Sequence, residues 1–186
     1  MTKSSPAFIK DRIENHEDKV LLGRIDEYFS AFADGDAEKM DSMVTDDYRM
    51  SDIRKSEPPF SIPNYHSNIL SHIALNIVRF PKKAWFAANK GFSGLMTDVS
   101  VEAISLHGSS EPGSFAVLEN VVRFTLKIDP PEEAKPNLPP GIGKGDSSGM
   151  IMLSTIWWNS EGKITRELEY GKLLWPGFDI NAFNEW

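Results

Sequence analysis

The hydrophobic period changes near the middle of this 186-residue chain, and that change restricts the fold more than any single motif does. Residues from about Val20 to Ala33 repeat at helical spacing, with Leu21, Ile25, Tyr28, Phe29 and Phe32 on one stripe. Asp34-Gly35-Asp36 then reads as a helix stop at Gly35 and a new N-cap at Asp36. A short second helix follows, with Met40, Met43 and Val44 on its apolar side, and Tyr48 to Asp52 reads as extended. The three prolines between Ser56 and Pro63 require a loop. A third helix is expected over roughly Asn64 to Val78, with His66, Ile69, Leu70, Ile73 and Ile77 on its apolar face and Pro81 ending it.

From Leu95 the period becomes two. Leu95 to Leu106, Ser114 to Ile128, Met150 to Asn159 and Lys163 to Gly171 are rich in Val, Ile, Thr and aromatics, as strands are. Gly108 to Gly113 and Asn159 to Gly162 read as the hairpin turns between them. The Pro/Gly-rich stretch from Asp129 to Ser148 reads as a mobile insertion or a lid. Helices first and strands afterwards imply an α+β fold: three N-terminal helices packed on a curved antiparallel sheet, with a pocket at the open end of the cone. The expected organisation is a flexible segment over 1–19 and one domain over 20–186.

Charge and composition narrow the function classes. The net charge is −7, and Lys and Arg are scattered rather than gathered in a stripe, which argues against nucleic-acid and anionic-membrane surfaces. The absence of cysteine excludes disulfides, thiolate chemistry and sulfur-ligated zinc. His, Asp and Glu do not cluster at ligand spacing, so no metal is expected. Gly141 to Gly145 lies inside the proline-rich stretch rather than after a strand, so no phosphate loop is read there. The first residues lack the apolar core of a signal peptide, and a cytoplasmic protein is expected.

The segment EYFSAFADGDAEKMDSMVTDDYRMSDI resembles the opening of the NTF2-like superfamily, in particular its steroid Δ-isomerases and SnoaL-like cyclases. In the isomerases a phenol stands seven residues before the Gly of a Gly-Asp helix break, and the general-base Asp lies sixteen residues after the Asp. Tyr28 and Asp52 match those positions relative to Gly35 and Asp36. The end TIWWNSEGKITRELEYGK resembles the family's last two strands and places Ser154 where the isomerases carry a protonated Asp. The resemblance implies an acid–base pocket without a cofactor. Asp52 would be the base and Tyr28 a hydrogen-bond donor to developing enolate charge. Cyclisation, isomerisation or dehydration of a hydrophobic polyketide- or terpenoid-like molecule is the implied chemistry, and a non-catalytic binding or dimerisation module is the alternative. A homodimer is the expected assembly. Scytalone dehydratase, a relative of the same superfamily, suggests a proton-transfer role for His66.

Alternation supplies further candidates. Asn120 interrupts the apolar row Ala116, Leu118, Val122, Phe124 and Leu126, so it either ties down a neighbour or meets a ligand. Trp157 and Trp158 fall on opposite faces, with Trp158 on the pocket side together with Ser154; Phe124 is a further lining residue. On the last strand, apolar parity turns Ile164, Leu168 and Tyr170 inward. The opposite register would turn Glu167 and Glu169 inward instead. Glu119 and Arg123 are expected to pair on the outer face, and the aromatic tail from Leu173 to Trp186 to cover the cone mouth or a dimer surface.

Overall fold

The computed structural model describes residues 8–54, 77–132, 135 and 138–185. Asp18 starts the first helix by accepting the Leu21 N–H at 2.9 Å, and α1 runs Lys19–Asp34. Its buried stripe is Leu21, Ile25, Tyr28 and Phe29. Gly35 closes α1 in the left-handed region at φ 68°, and its N–H returns to the Phe32 carbonyl. A side chain at that position would be strained and would crowd Ser93 Oγ at 2.8 Å. Asp36 caps α2 (Ala37–Met43) by accepting the Lys39 N–H at 2.9 Å.

The strands are β1 (Phe8–Ile9), β2 (Val44–Arg54), β3 (Ile77–Pro81), β4 (Met96–Gly108), β5 (Phe115–Leu126), β6 (Ser147–Trp158) and β7 (Ile164–Leu173). They form one curved, open sheet in the order β1-β4-β5-β6-β7-β2-β3. The β4 to β7 run is an antiparallel meander, while β2 joins β7 and β1 joins β4 in parallel. β4 carries two bulges against β5, one between Thr97 and Ser100 and one between Ala103 and Ser105. Extra residues on one strand bend it, which suits a sheet that wraps around helices. Asp98 sits in the first bulge with φ 52°.

The core lies between α1 and the concave face. Leu21, Ile25 and Phe29 belong to one buried cluster with Val101, Ala103, Leu118, Ile156 and Ile164. Each Leu or Ile fully buried there stabilises the fold by roughly 1.5–3 kcal/mol. Arg24 fastens α1 to the β4–β5 turn, donating to the Ser110 carbonyl at 2.9 Å and lying 5.6 Å over the Trp158 ring. Asp18 holds the same turn, accepting the Ser110 N–H at 2.7 Å.

One expectation changes, and two segments gain contacts within the described residues. The helix read over Asn64 to Val78 lies mostly outside the described residues, and where it is described, at Ile77 and Val78, the chain is strand β3. The observed third helix is α3 (Lys82–Leu95), which follows Pro81 instead of preceding it. Proline lacks the N–H that a first helical turn leaves unbonded in any case, so it marks a helix start as readily as a stop. The N-terminal region is also tied down from Phe8 onward. Phe8 and Ile9 pair with Val101 and Glu102, Phe8 stacks on Phe29, and Lys10 pairs with Asp26 on α1. Finally, the β5–β6 connection is pinned at its base. Lys144 N–H donates to Asp129 at 2.8 Å and Gly143 N–H to Asp146 at 2.8 Å.

Candidate functional site

The hairpin of β6 and β7 decides what faces the interior. Trp158 pairs with Ile164, but Trp157 pairs with Arg166, so β7 holds one extra residue at Thr165. The bulge reverses the inward parity near the start of the strand. Ile164 is buried as apolar parity requires, yet Glu167, three residues on, is buried as well, at 1% exposure. Tyr170 consequently lies on the outer face, 44% exposed, which corrects the inward direction that apolar parity gave it.

Glu167 is the centre of a buried polar cluster that alternation alone misses. Tyr28 Oη on α1 and Tyr48 Oη on β2 both donate to Glu167 Oε2, each at 2.7 Å. Both rings are buried; Tyr28 meets Phe29 edge-on and Tyr48 lies against Phe86 of α3. Burial raises the Glu167 carboxyl above the usual carboxylate value of 4.5, and the two phenol hydrogen bonds pull it back down in part. Burial also raises both phenols well above their ordinary range, reinforced by the neighbouring Glu167 charge. The two phenols therefore hold their protons tightly in the buried interior, and the carboxyl is harder to ionise than an exposed one. A group of this kind can pass a hydrogen bond or a proton to a reacting oxygen only when that oxygen competes with the internal bonds. The sequence signal was present, since Glu167 and Glu169 belong to the alternative register, but the bulge that selects it leaves no residue-type mark.

The candidates from the resemblance are placed as follows. Asp52 stands in register with Glu169 on β7, which in turn pairs with Ser154 on β6 and through it with Leu118 on β5. Tyr28 is not a free donor, because its hydroxyl is engaged by Glu167. His66 lies outside the described residues. Ser154 is buried and accepts from Asn120 Nδ2 at 3.3 Å. Trp158 is buried, and its indole N–H donates to the Ser109 carbonyl at 3.1 Å, so it closes the end of the core near the β4–β5 turn. Phe124 is buried on the same strand face as Asn120, two turns of the pleat along β5.

On the outer face, Trp157 carries Arg166 stacked at 4.4 Å, opposite in direction to Trp158. Arg123 bonds to Glu102 at 2.9 Å rather than to Glu119, because Glu102 lies on the adjacent strand β4; Glu119 instead accepts from Ser105. The tail packs by Ile180, and Arg12 donates to Asn181 at 3.1 Å and to Asn184, so the 3-10 segment Ile180–Glu185 rests near the N-terminal turn. Among the described residues no group of three or more His, Asp or Glu is gathered to hold a metal ion. No helix among them is long and apolar enough to cross a membrane.

No protein-family model matches the sequence, and no curated protein matches it either. Solved structures do match. A SnoaL-like polyketide cyclase candidate from Shewanella denitrificans superposes with a TM-score of 0.55 at 9% identity, over 83% of this chain and 91% of the other. IdmH of Streptomyces antibioticus, also described as a polyketide cyclase candidate, gives 0.53 at 14% identity, over 81% and 91%. A Mycobacterium tuberculosis protein in complex with estradiol-17beta-hemisuccinate gives 0.53 at 16% identity, over 83% and 97%. Identities this low carry architecture and not chemistry. The curved open sheet, the helices on it and these superpositions agree that the chain has the NTF2-like fold.

Proposed function

We propose that this chain is a cofactor-independent acid–base enzyme acting on a hydrophobic, carbonyl-containing small molecule of polyketide or terpenoid type. The observation that carries the proposal is the fully buried Glu167 carboxyl bridged by two phenols on the inner face of the sheet. Buried titratable groups concentrated in one place are costly to a fold and mark functional sites more often than chance. The fold's similarity to cyclase candidates agrees with this reading.

The chemistry has three steps at most. Asp52 removes a proton from the carbon beside the substrate carbonyl. The enolate oxygen that results draws a hydrogen bond from the Tyr28–Glu167–Tyr48 cluster, with Tyr28 turning from the carboxyl to the oxyanion. Return of the proton to a different carbon is isomerisation; attack of the enolate carbon on a second carbonyl, with the Asp52 proton passing to the new alkoxide, is cyclisation; expulsion of a β-hydroxyl, which takes that proton and leaves as water, is dehydration. His66 would assist the proton return, Ser154, Asn120, Trp158 and Phe124 would line the pocket, and Asp52 with Glu169 would share the row nearest the reacting carbon.

A direct assay is hydrogen–deuterium exchange at the α-carbon of a panel of bicyclic ketones such as tetralones and decalones, followed by NMR. Asp52→Asn is expected to lower the exchange rate by about 10²–10⁴-fold, the range of one general base. Full exchange in folded Asp52→Asn and Glu167→Gln proteins would exclude the mechanism.

A second reading, a non-catalytic binding or dimerisation module, is favoured by three observations. Trp158 fills interior space, and both phenols are engaged internally. The outer face of β5 to β7 also exposes Phe115, Leu153 and Tyr170, with Trp157 beside Phe115. An apolar sheet face of this kind suits a second copy of the chain, and a cytoplasmic homodimer is the setting both readings share.

A further inference from the structure

Asn120 is fully buried, at 0% exposure, in the otherwise apolar inner row of β5. Its Nδ2 donates to Ser154 Oγ at 3.3 Å and to the Leu118 carbonyl at 3.4 Å. The carbonyl has lone pairs only, so the amino side of the amide must face it, and this fixes which way the group is turned. Oδ1 therefore points away from Ser154, and it has no hydrogen-bond partner among the described residues. A buried acceptor with no donor is uncommon in native interiors.

The cross-strand neighbours in register offer no donor. In register with Asn120 stand Ala103 on β4 and Met152 on β6, and beyond Met152 stands Gly171 on β7. None of these three side chains carries an N–H or O–H. The Met152 thioether lies over Gly171, where an added Cβ would come within 2.6 Å of Sδ. The residues in register with the amide are thus small or apolar, on the same concave side as Ser154 and Glu167.

We propose that Asn120 Oδ1 recognises a hydroxyl or N–H group on the bound small molecule, at the end remote from Glu167. Asn120 is two strands and four residues from Glu167 on the sheet, about 16 Å between Cα positions at ordinary strand spacings. A molecule touching both points is a fused polycycle with a hydrogen-bond donor at its far end, not a single ring. This inference rests on the inner face being the pocket proposed above, but not on any chemistry taking place there.

The test uses two probes of equal shape, 2-naphthol and 2-methylnaphthalene, titrated into ¹⁵N-labelled protein and followed by NMR. The expected result is that 2-naphthol binds roughly three- to tenfold more tightly, the worth of one neutral hydrogen bond, and shifts the Asn120 side-chain amide. Asn120→Ala should bind both probes equally. Equal affinities in the wild type, a preference that survives Asn120→Ala, or no shift of the Asn120 amide by either probe would each overturn the proposal. If Asn120→Ala does not fold, the two wild-type titrations and the Asn120 amide decide alone. The binding preference is independent of Asp52, so a preference retained in an Asp52→Asn protein lacking any loss of exchange activity would reject the catalytic reading while leaving this one standing.

Discussion

Replacing Tyr28 by Phe removes one of the two hydroxyls that donate to Glu167 Oε2 and leaves the ring that packs on Phe29. The cost depends on the charge of Glu167. While the carboxyl is protonated the lost bond is between neutral groups, worth about 0.5–1.5 kcal/mol; once it is ionised the bond is charge-assisted, worth about 1.5–3 kcal/mol. Burial raises the folded-state carboxyl above 4.5, and the Tyr28 bond is the larger of the two influences that hold it down. Such a raised group contributes stability fully below its unfolded value, and this is lost as pH rises through the folded value. In the variant the folded value rises further, so the loss continues to higher pH. The destabilisation should therefore be small in acid and grow as pH increases above 4.5. Urea unfolding followed by circular dichroism at a series of pH values from mildly acidic to mildly alkaline measures it. A destabilisation that is independent of pH, or that shrinks as pH rises, would refute the reasoning.

Asp18→Ala should cost about 0.5–2 kcal/mol, the range of a lost helix cap, read from urea midpoints near neutral pH. The carboxyl is pulled down from 3.8 to about 2, chiefly by the Leu21 N–H and then by the Ser110 N–H, so its stabilisation is present above 3.8 and fades as pH falls toward about 2; the gap between wild type and variant should close in that window. Leu153→Lys, on the outer face of β6, should leave the melting temperature of the protomer nearly unchanged while shifting sedimentation from dimer to monomer. A wild-type protein that sediments as a monomer would remove the proposed outer-face contact.

Much of the scaffold was legible because its signals are local. The Asp36 cap, the Gly35 stop, the stripe of α1 and the even-numbered inner row of β5 each follow from a few neighbouring residues. What was not legible depends on events between strands. The Thr165 bulge moves Glu167 inward and Tyr170 outward without any change in residue type, so strict alternation misassigns both. Pro81 was equally ambiguous, since the same residue can end one helix or begin another, and α3 lies on the side that the reading did not choose. Tyr48 shows a third kind of limit. It sits four residues from Asp52 in a stretch correctly read as extended, yet its partner is 119 positions away in the chain.

The bulge in β7 also divides one strand into two parts with separate duties. On the turn side, Ile164 completes the apolar interior beside Val44. On the far side, Glu167 and Glu169 stand in register with Met50 and Asp52. A phase shift between them means that substitutions near the turn answer to packing, while substitutions beyond Arg166 answer to whatever the pocket must hold. Deleting the single residue Thr165 would remove the bulge but leave Arg166 opposite Trp157 and Glu167 opposite Ile156, so the acids would still face inward on a regular strand. Only a strand that took up Thr165 as an ordinary pleat would turn Leu168 and Tyr170 inward and the acids out. The way the chain absorbs one residue, as a bulge or as a pleat, thus determines whether this hairpin supplies a core or a charge.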